Sequence, residues 1–308
     1  VYAAYRPIEQ FRVGLGLQAL VGTFRSTTYF SACPADRLVC AAEDPQYDAF
    51  SELKVGPIFA PSANFGMIGA PGENFRIGAS LQLPFAINAP AKVSVRLPNA
   101  VVFDKAHQDG TDAHVRFKLP AVARFGVEYR TKTGENQLLR VELAYVREFW
   151  SMHEAIDITP DNLTLVGITG FPSPFGVSSI SIPRKFEDSN SFRLGGEYSF
   201  KLASYILDLR AGAVFETSAI PTAYVSPLTV DGNKLIFSIG GGLHIGEHWR
   251  LDASYARVAH FAIDVPPNEA RVPRVNPVAG NPTDTESVNG GEYLSRANVF
   301  GVGLDYKF

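Results

Sequence analysis

The feature that most constrains this chain is a period of two. From Phe11, the positions Phe11, Val13, Leu15, Leu17 and Ala19 are apolar, while Arg12, Gly14, Gly16 and Gln18 between them are small or polar. Successive side chains of a strand point to opposite faces, so this alternation marks a β-strand with two chemically different surfaces. The pattern returns from Phe75, where Ile77, Ala79, Leu81 and Leu83 oppose Arg76, Gly78, Ser80 and Gln82.

It keeps returning. Phe125, Val127 and Tyr129 oppose Arg124, Gly126 and Glu128, and Leu139, Val141 and Leu143 oppose Arg140 and Glu142. Further on, Arg193 and Glu197, then Asp208 and Arg210, then Arg250 and Asp252 occupy the polar sides of alternating runs. Eleven strands are expected, near Val1 to Tyr5, Phe11 to Phe24, Leu53 to Ala70, Phe75 to Phe85, Arg116 to Arg130, Gln137 to Phe149, Ser191 to Phe200, Ser204 to Glu216, Lys234 to Ile245, His248 to Phe261 and Leu294 to Phe308. No helical stretch competes.

In a soluble sandwich the polar face carries mixed, solvated side chains. Here it is rich in Gly, Ser, Arg, Asp and Glu, while aromatics stand at the strand ends of the apolar face. Small residues and opposed charges suit a wet lumen, and terminal aromatics suit a headgroup girdle. An all-β transmembrane antiparallel barrel in a bacterial outer membrane accounts for both faces. Although 46% of the 308 residues are hydrophobic, mean hydropathy is +0.02 and no apolar run approaches the roughly 18 residues of a membrane helix. A net charge of −3 leaves no electrostatic footprint for nucleic acid.

Connections alternate in length. Short turns such as "PGENF" (Pro71 to Phe75) and "KTGENQ" (Lys132 to Gln137) alternate with long segments near Arg25 to Phe50, Asn88 to Val115, Ser151 to Asn190, Thr217 to Asn233 and Ala262 to Tyr293. Outer-membrane barrels place short turns in the periplasm and long loops outside. The first strand then descends, and an even strand count needs an odd number of strands on its N-terminal side. The last strand ends on Phe308, which resembles the terminal signal that such barrels present to their assembly machinery. Cys33 and Cys40, with six residues between them in "SACPADRLVC", suit a local disulfide in an oxidising compartment. Two free thiols are the alternative, and no metal site or cofactor is expected.

Longer phrases carry a resemblance. "RLGGEYSF", "LDLRAGAVFETSAIP" and "LIFSIGGGLHIGEHWRLDASYARV" resemble the closing third of FadL-type long-chain fatty acid and hydrocarbon transporters, and "AYRPIEQFRVGLGLQAL" and "FGMIGAPGENFRIGASLQLP" resemble the middle. The resemblance implies a monomeric barrel of fourteen strands plugged by an N-terminal hatch. By that plan the hatch and first three strands, with the kink through which ligand leaves sideways, precede Val1, and residues 1–308 are barrel alone.

Within this frame Arg12, Arg76, Arg124, Glu128, Arg140, Glu142, Arg193, Glu197, Asp208, Arg210, Arg250 and Asp252 line the lumen. They form either a salt-bridge network that rigidifies it or arginine guides for a fatty-acid carboxylate. Phe24, Tyr29 and Phe30, with Phe171 and Phe175, lie on two segments read as long loops and suit capture of an acyl chain; packing of one loop on another is the bland alternative. The Pro-rich Phe261 to Pro282 segment reads as a lid or partner-binding arm. No His-Glu-x-x-His or Gly-x-Ser-x-Gly motif is present, so no enzyme is expected. Two functions remain: passive uptake of hydrophobic small molecules, or a structural barrel anchoring a larger envelope complex. Membrane lipids are partners in either.

Overall fold

The computed structural model describes residues 1–33, 44–134, 137–246, 248–272 and 287–307. These form β1 (Tyr2–Ile8), β2 (Phe11–Ser31), β3 (Asp48–Gly69), β4 (Phe75–Gln82), β5 (Phe85–Arg96), β6 (His107–Asp109), β7 (Asp112–Leu119), β8 (Val122–Gly134), β9 (Gln137–Glu148) and β10 (Ala155–Pro160). They continue with β11 (Thr164–Val166), β12 (Phe175–Gly176), β13 (Ile180–Pro183), β14 (Ser189–Leu202), β15 (Tyr205–Glu216), β16 (Lys234–Ile245), β17 (Trp249–His260), β18 (Ile263–Val265), β19 (Gly291–Tyr293) and β20 (Arg296–Tyr306). Helical conformation among the described residues is confined to short 3₁₀ turns.

Fifteen strands join one antiparallel sheet. Its wall follows the eleven expected strands: β1, β2, β3, β4, β8, β9, β14, β15, β16, β17 and β20. Among the described residues β1 pairs only β2, and β20 pairs only β17. Phe308, the expected assembly signal, lies outside the described residues.

The wall's apolar positions face outward with little protein cover. Leu143 is 60% exposed, Ile239 64% and Phe300 77%. A continuous apolar surface of this kind is a lipid-facing belt.

The strand total exceeds the eleven read from periodicity, because hairpins continue above the belt. Phe75 to Phe85 breaks at Leu83–Pro84 into β4 and β5, and Arg116 to Arg130 breaks at Pro120–Ala121 into β7 and β8. The segment Phe24 to Phe30, read as loop, is strand: β2 runs to Ser31 and pairs with β3 through Asp48. Alternation ends where "RSTT" (Arg25 to Thr28) turns polar, but ladder hydrogen bonds belong to the backbone and do not need an apolar face.

At the breaks the two faces exchange. On β4, Ile77 and Leu81 face lipid, yet Ile87, Ala89 and Ala91 of β5 are buried while Ala86, Asn88, Pro90 and Lys92 are exposed. β7 does the same, with Ala113 and Val115 buried and Asp112, His114 and Arg116 exposed. On β3 the exchange is a bulge. Gly22 pairs with Ile58 but Phe24 with Val55, so β3 carries one extra residue at Gly56–Pro57, and one residue moves every later side chain to the other face. Gly56 has φ +130°, and a Cβ there would stand 3.1 Å from the Thr23 methyl and 3.2 Å from the Gly22 carbonyl.

The extension therefore has an apolar inside. Val55, Ile58, Ala60, Ile87, Ala89, Ala91, Ala113 and Val115 form one buried cluster, joined by Leu20, Ile156 and Ile158. Full burial of side chains such as Ile87 or Val115 contributes about 1.5–3 kcal/mol each.

The exchange also interrupts the ladder. Val55 pairs with Ala91 and Asn64 with Gln82, but the residues between them on β3 and β4–β5 are unpaired with each other. Pro57, Pro61, Pro84 and Pro90 lie in these stretches and have no N–H to give to a ladder. At the lower end the Leu83 N–H donates to Ala63 O, and Ser62 Oγ donates to Leu83 O at 2.8 Å.

Candidate functional site: the lumen and its outer mouth

Antiparallel register sets the lumen charges side by side. Arg76 of β4 is opposite Glu128 of β8, and Glu197 of β14 is opposite both Arg140 of β9 and Arg210 of β15. Opposite charges in adjacent rows close into a ladder: Arg76 to Glu128 at 3.7 Å, Glu128 to Arg140 at 2.9 Å, Arg140 to Glu197 at 3.3 Å and Glu197 to Arg210 at 2.6 Å. Arg210 continues to Asp252 of β17 at 2.7 Å and to Asp208 at 2.8 Å. Arg250 reaches Asp252 at 2.9 Å and Asp208 at 3.5 Å.

Arg210 has to cross β16 to meet Asp252, and Gly242 makes room. A Cβ at Gly242 would lie 2.7 Å from Asp252 Oδ1, 3.1 Å from Arg210 Nη2 and 3.1 Å from Asp208 Oδ2. Asp208 is the most enclosed member. Beside Arg210 and Arg250, it accepts hydrogen bonds from Ser199 Oγ at 2.6 Å and lies 3.0 Å from His244 Nε2. A carboxylate so enclosed is tolerated because each lone pair is used.

Most expected lumen residues meet here, though not all. Arg193 turns away from Glu197, bonding Ser191 at 2.9 Å with Glu216 4.0 Å away. Arg12, Arg124 and Glu142 make no ion pair among the described residues. Sequence reasoning missed Ser199 as a partner and kept His244 outside the charged set, although its place on the polar side of β16 was readable. The groove beside the ladder holds a cavity of about 900 Å³, lined by Glu128, Arg140, Glu142, Arg193, Glu197, Arg210, Arg250 and Asp252 among others. Among the described residues no three His, Cys, Asp or Glu side chains gather as a metal site.

The outer mouth is apolar. Ala32, Ala49, Ala100, Phe103, Leu165 and Ile168 are buried together, with Phe30, Phe171 and Phe175 packed against them. Phe171 and Phe175 meet edge to face with centroids 5.7 Å apart. The expected capture set is thus split: Phe30, Phe171 and Phe175 share one cluster, whereas Tyr29 is 68% exposed and stacks on Phe50 across the ladder. Phe24, on the same side of β2 as Phe30, remains half exposed. Cys33 is buried at this mouth, while Cys40 lies outside the described residues.

Two further clusters organise the loops. His153 stacks on Phe186 with centroids 5.4 Å apart and meets the edges of Phe117 and Trp150. Its Nδ1 bonds the Lys118 carbonyl, whereas Ser151 bonds Asp188 at 2.7 Å, so His153 and Ser151 have separate partners. Burial first, and then nearby Arg184, push the His153 pKa down. On the other side, Asn289 is fully buried, and its Nδ2 donates to the carbonyls of Ala223 and Val225 at 2.8 Å each. The Val272 N–H donates to Asn289 Oδ1 at 3.0 Å and the Arg271 N–H to Ala223 O at 2.9 Å, which ties the Pro-rich segment to the loop after β15; residues 273–282 of that segment lie outside the described residues.

A family model for outer membrane protein transport proteins (OMPP1/FadL/TodX) matches residues 2–308. The chain belongs to this family. The OMPP1/FadL/TodX fold is shared with a Pseudomonas aeruginosa FadL homologue at a TM-score of 0.71 and 15% identity, over 99% of this chain and 66% of that one. It is also shared with the toluene transporter TbuX of Ralstonia pickettii, at a TM-score of 0.53 and 17% identity over 85% of this chain and 61% of that one. Over 120 residues, 39% of this chain and 24% of the relative, it is 30% identical to outer membrane protein NMB0088 of Neisseria meningitidis serogroup B. The chain thus spans about two-thirds or less of the length of these relatives. As a member of the family it resides in the bacterial outer membrane.

Proposed function

We propose that this OMPP1/FadL/TodX member forms the wall of a passive conduit for hydrophobic small molecules, of the long-chain fatty acid or aromatic hydrocarbon class. The observation that carries this reading is the change of polarity along the conduit: a buried apolar mouth around Phe30, Phe103, Phe171 and Phe175 stands on the same sheet as a charged, wet lumen. An apolar mouth removes a hydrophobe from water. The cavity below is lined by the charged ladder together with apolar side chains such as Ala213 and Val214, so a hydrophobe meets no fully apolar site that would arrest it there. The ladder's role is rigidity, since its arginines are committed to carboxylates.

Residues 1–308 act as barrel wall, closed by further strands between β1 and β20. Cys33 and Cys40 form a bridge beside the mouth, contributing about 2–3 kcal/mol for so short a loop, and Phe308 serves assembly. No catalysis is assigned, because His153 and Ser151 each have separate structural partners. The experiment is uptake of labelled oleate or toluene by cells lacking the protein and complemented with variants. Phe171→Asp should reduce uptake at least several-fold while heat-modifiable migration shows an assembled barrel; full uptake would remove the mouth from the path. Peptide mapping without reductant that finds both thiols free would remove the bridge.

A second reading is favoured by one observation. β1 and β20 each present an unpaired edge among the described residues, and an open sheet edge inside a bilayer costs several kcal/mol per unsatisfied group. Another chain could cover these edges, making this a structural subunit of an envelope complex. Purification in mild detergent decides: a stoichiometric partner together with normal uptake in cells lacking the chain would establish the anchor.

A further inference from the structure

The outer face of the extension carries a surplus of cations. Arg25 of β2 is directly opposite Lys54 of β3, and Lys54 is directly opposite Lys92 of β5. Arg116 and Lys118 of β7 lie on the same outer face, opposite Asn88 and Ala86. All five are exposed. Like charges directly opposite destabilise a sheet, so this row is costly unless an anion lies on it.

Glu52, Asp112 and Asp157 on this face offset only part of the positive charge of these five cations. Glu52 pairs with both Arg25 and Lys54. Asp112, opposite Lys92, is bonded by Asn162 Nδ2 at 3.1 Å, and Asp157, opposite Arg116, by Ser181 Oγ at 2.7 Å. Lys92, Arg116 and Lys118 make no ion pair among the described residues. Elsewhere on the rim, Arg147 has Asp188 at 2.8 Å, and Lys234 has Glu216 and Asp231 at 2.7 and 2.8 Å.

Position selects the partner. Val21 and Phe59, 71% and 68% exposed, belong to the lipid-facing side of β2 and β3. Arg25 stands four residues beyond Val21, about 13 Å along a strand. The cationic face is therefore continuous with the lipid belt and lies at the height of the outer headgroups. We propose that it docks a phosphorylated glycolipid of the outer leaflet, with acyl chains against Val21 and Phe59 and phosphates on Lys92, Arg116 and Lys118. Such an amphiphile satisfies belt and cations together, whereas a free anion satisfies only the cations. Arg116 offers a planar fork suited to phosphate oxygens. The inference rests on membrane position and holds whichever function the barrel serves.

The test uses the full-length protein in detergent, with bisphosphorylated lipid A, dephosphorylated lipid A and phosphatidylglycerol titrated separately by native mass spectrometry. Bisphosphorylated lipid A should bind the wild type at least tenfold more tightly than either other lipid. The triple variant Lys92→Gln, Arg116→Gln, Lys118→Gln should lose most of that difference, while Arg257→Gln, on the lipid side of β17, keeps it. The triple variant changes only exposed side chains, and heat-modifiable migration checks that each barrel is intact. Equal binding of phosphorylated and dephosphorylated lipid A, equal binding of phosphatidylglycerol, or unchanged affinity in the triple variant would each overturn the proposal.

Discussion

The wall and its extension are one sheet with opposite chemistry. In the wall, Leu143, Leu209 and Leu251 face outward and the Arg140 to Asp252 ladder faces in. In the extension, Ile87 and Val115 face in, and Lys92 and Arg116 face out. Each side chain follows the solvent on its own side. Lipid surrounds the wall and water fills its lumen; above the belt, water surrounds the sheet and the interior is packed. The chain meets both demands with the same strands by exchanging faces at a one-residue bulge at Gly56–Pro57 and at the strand breaks Leu83–Pro84 and Pro120–Ala121. The lesson is that a strand's buried face can be switched midway without leaving the sheet.

The contrast breaks first at the buried inside of the extension. Val115→Asp, at a position 2% exposed, would bury an unpaired carboxylate and should cost more than about 4 kcal/mol; urea unfolding of the reconstituted barrel measures it. If instead the change is neutral, the apolar interior is not packed as described. Next come the outward positions. Leu143→Arg near the bilayer midplane should cost about 2–4 kcal/mol, whereas Ser94→Arg, outward on the extension and opposite Glu52, should stay within about 0.5 kcal/mol. Equal costs at the two would erase the distinction between wall and extension.

Within the wall, Gly242→Val separates Arg210 from Asp252 and crowds Asp208. Overpacking of this kind costs about 1–3 kcal/mol, and single-channel or liposome-leak recordings should show a less rigid lumen. Gly246→Val, in the turn with open space around its Cα, tests the backbone alone, since its φ of +62° is strained for Val; it should leave the lumen signature unchanged.

The smallest effect is pH-dependent and confined to the extension. Because the folded His153 pKa lies below the ordinary value of about 6.5, the unfolded state binds the extra proton as pH falls. Stability from this site is therefore complete above about pH 6.5 and declines below it toward the folded pKa. Protection factors of β10 and β13 amides, corrected for the intrinsic pH dependence of exchange, should fall between pH 7.5 and 5.5, while those of β15 and β16 amides do not respond through this residue. His153→Phe should abolish the dependence; its persistence would place the titrating group elsewhere.

Much of this was legible in the residues. The eleven wall strands could be placed from the spacing of apolar residues, most of them with their lipid face, and Glu197 and Arg210 were on the right side before any pairing was known. Arg193 shows the limit. It shares the polar face with Glu197, but a long side chain chooses among several partners within reach, and Ser191 and Glu216 are nearer in the folded ladder. Tyr29 shows another. Read as part of a capture loop, it lies on the outer face of a strand whose continuation was invisible, since polar residues replaced the alternation that announces a strand.

What the sequence by itself determined is which residues share a side of each strand, because side-chain direction alternates with a period set by local backbone geometry. What only the tertiary structure decided is which side of the barrel that is at each height, and which charges meet. The first depends on one bulge and two strand breaks whose face exchange is defined only relative to a paired neighbour. The second depends on register, which sets Arg210 and Asp252 on either side of a glycine from a strand lying between them, 42 residues apart in the chain.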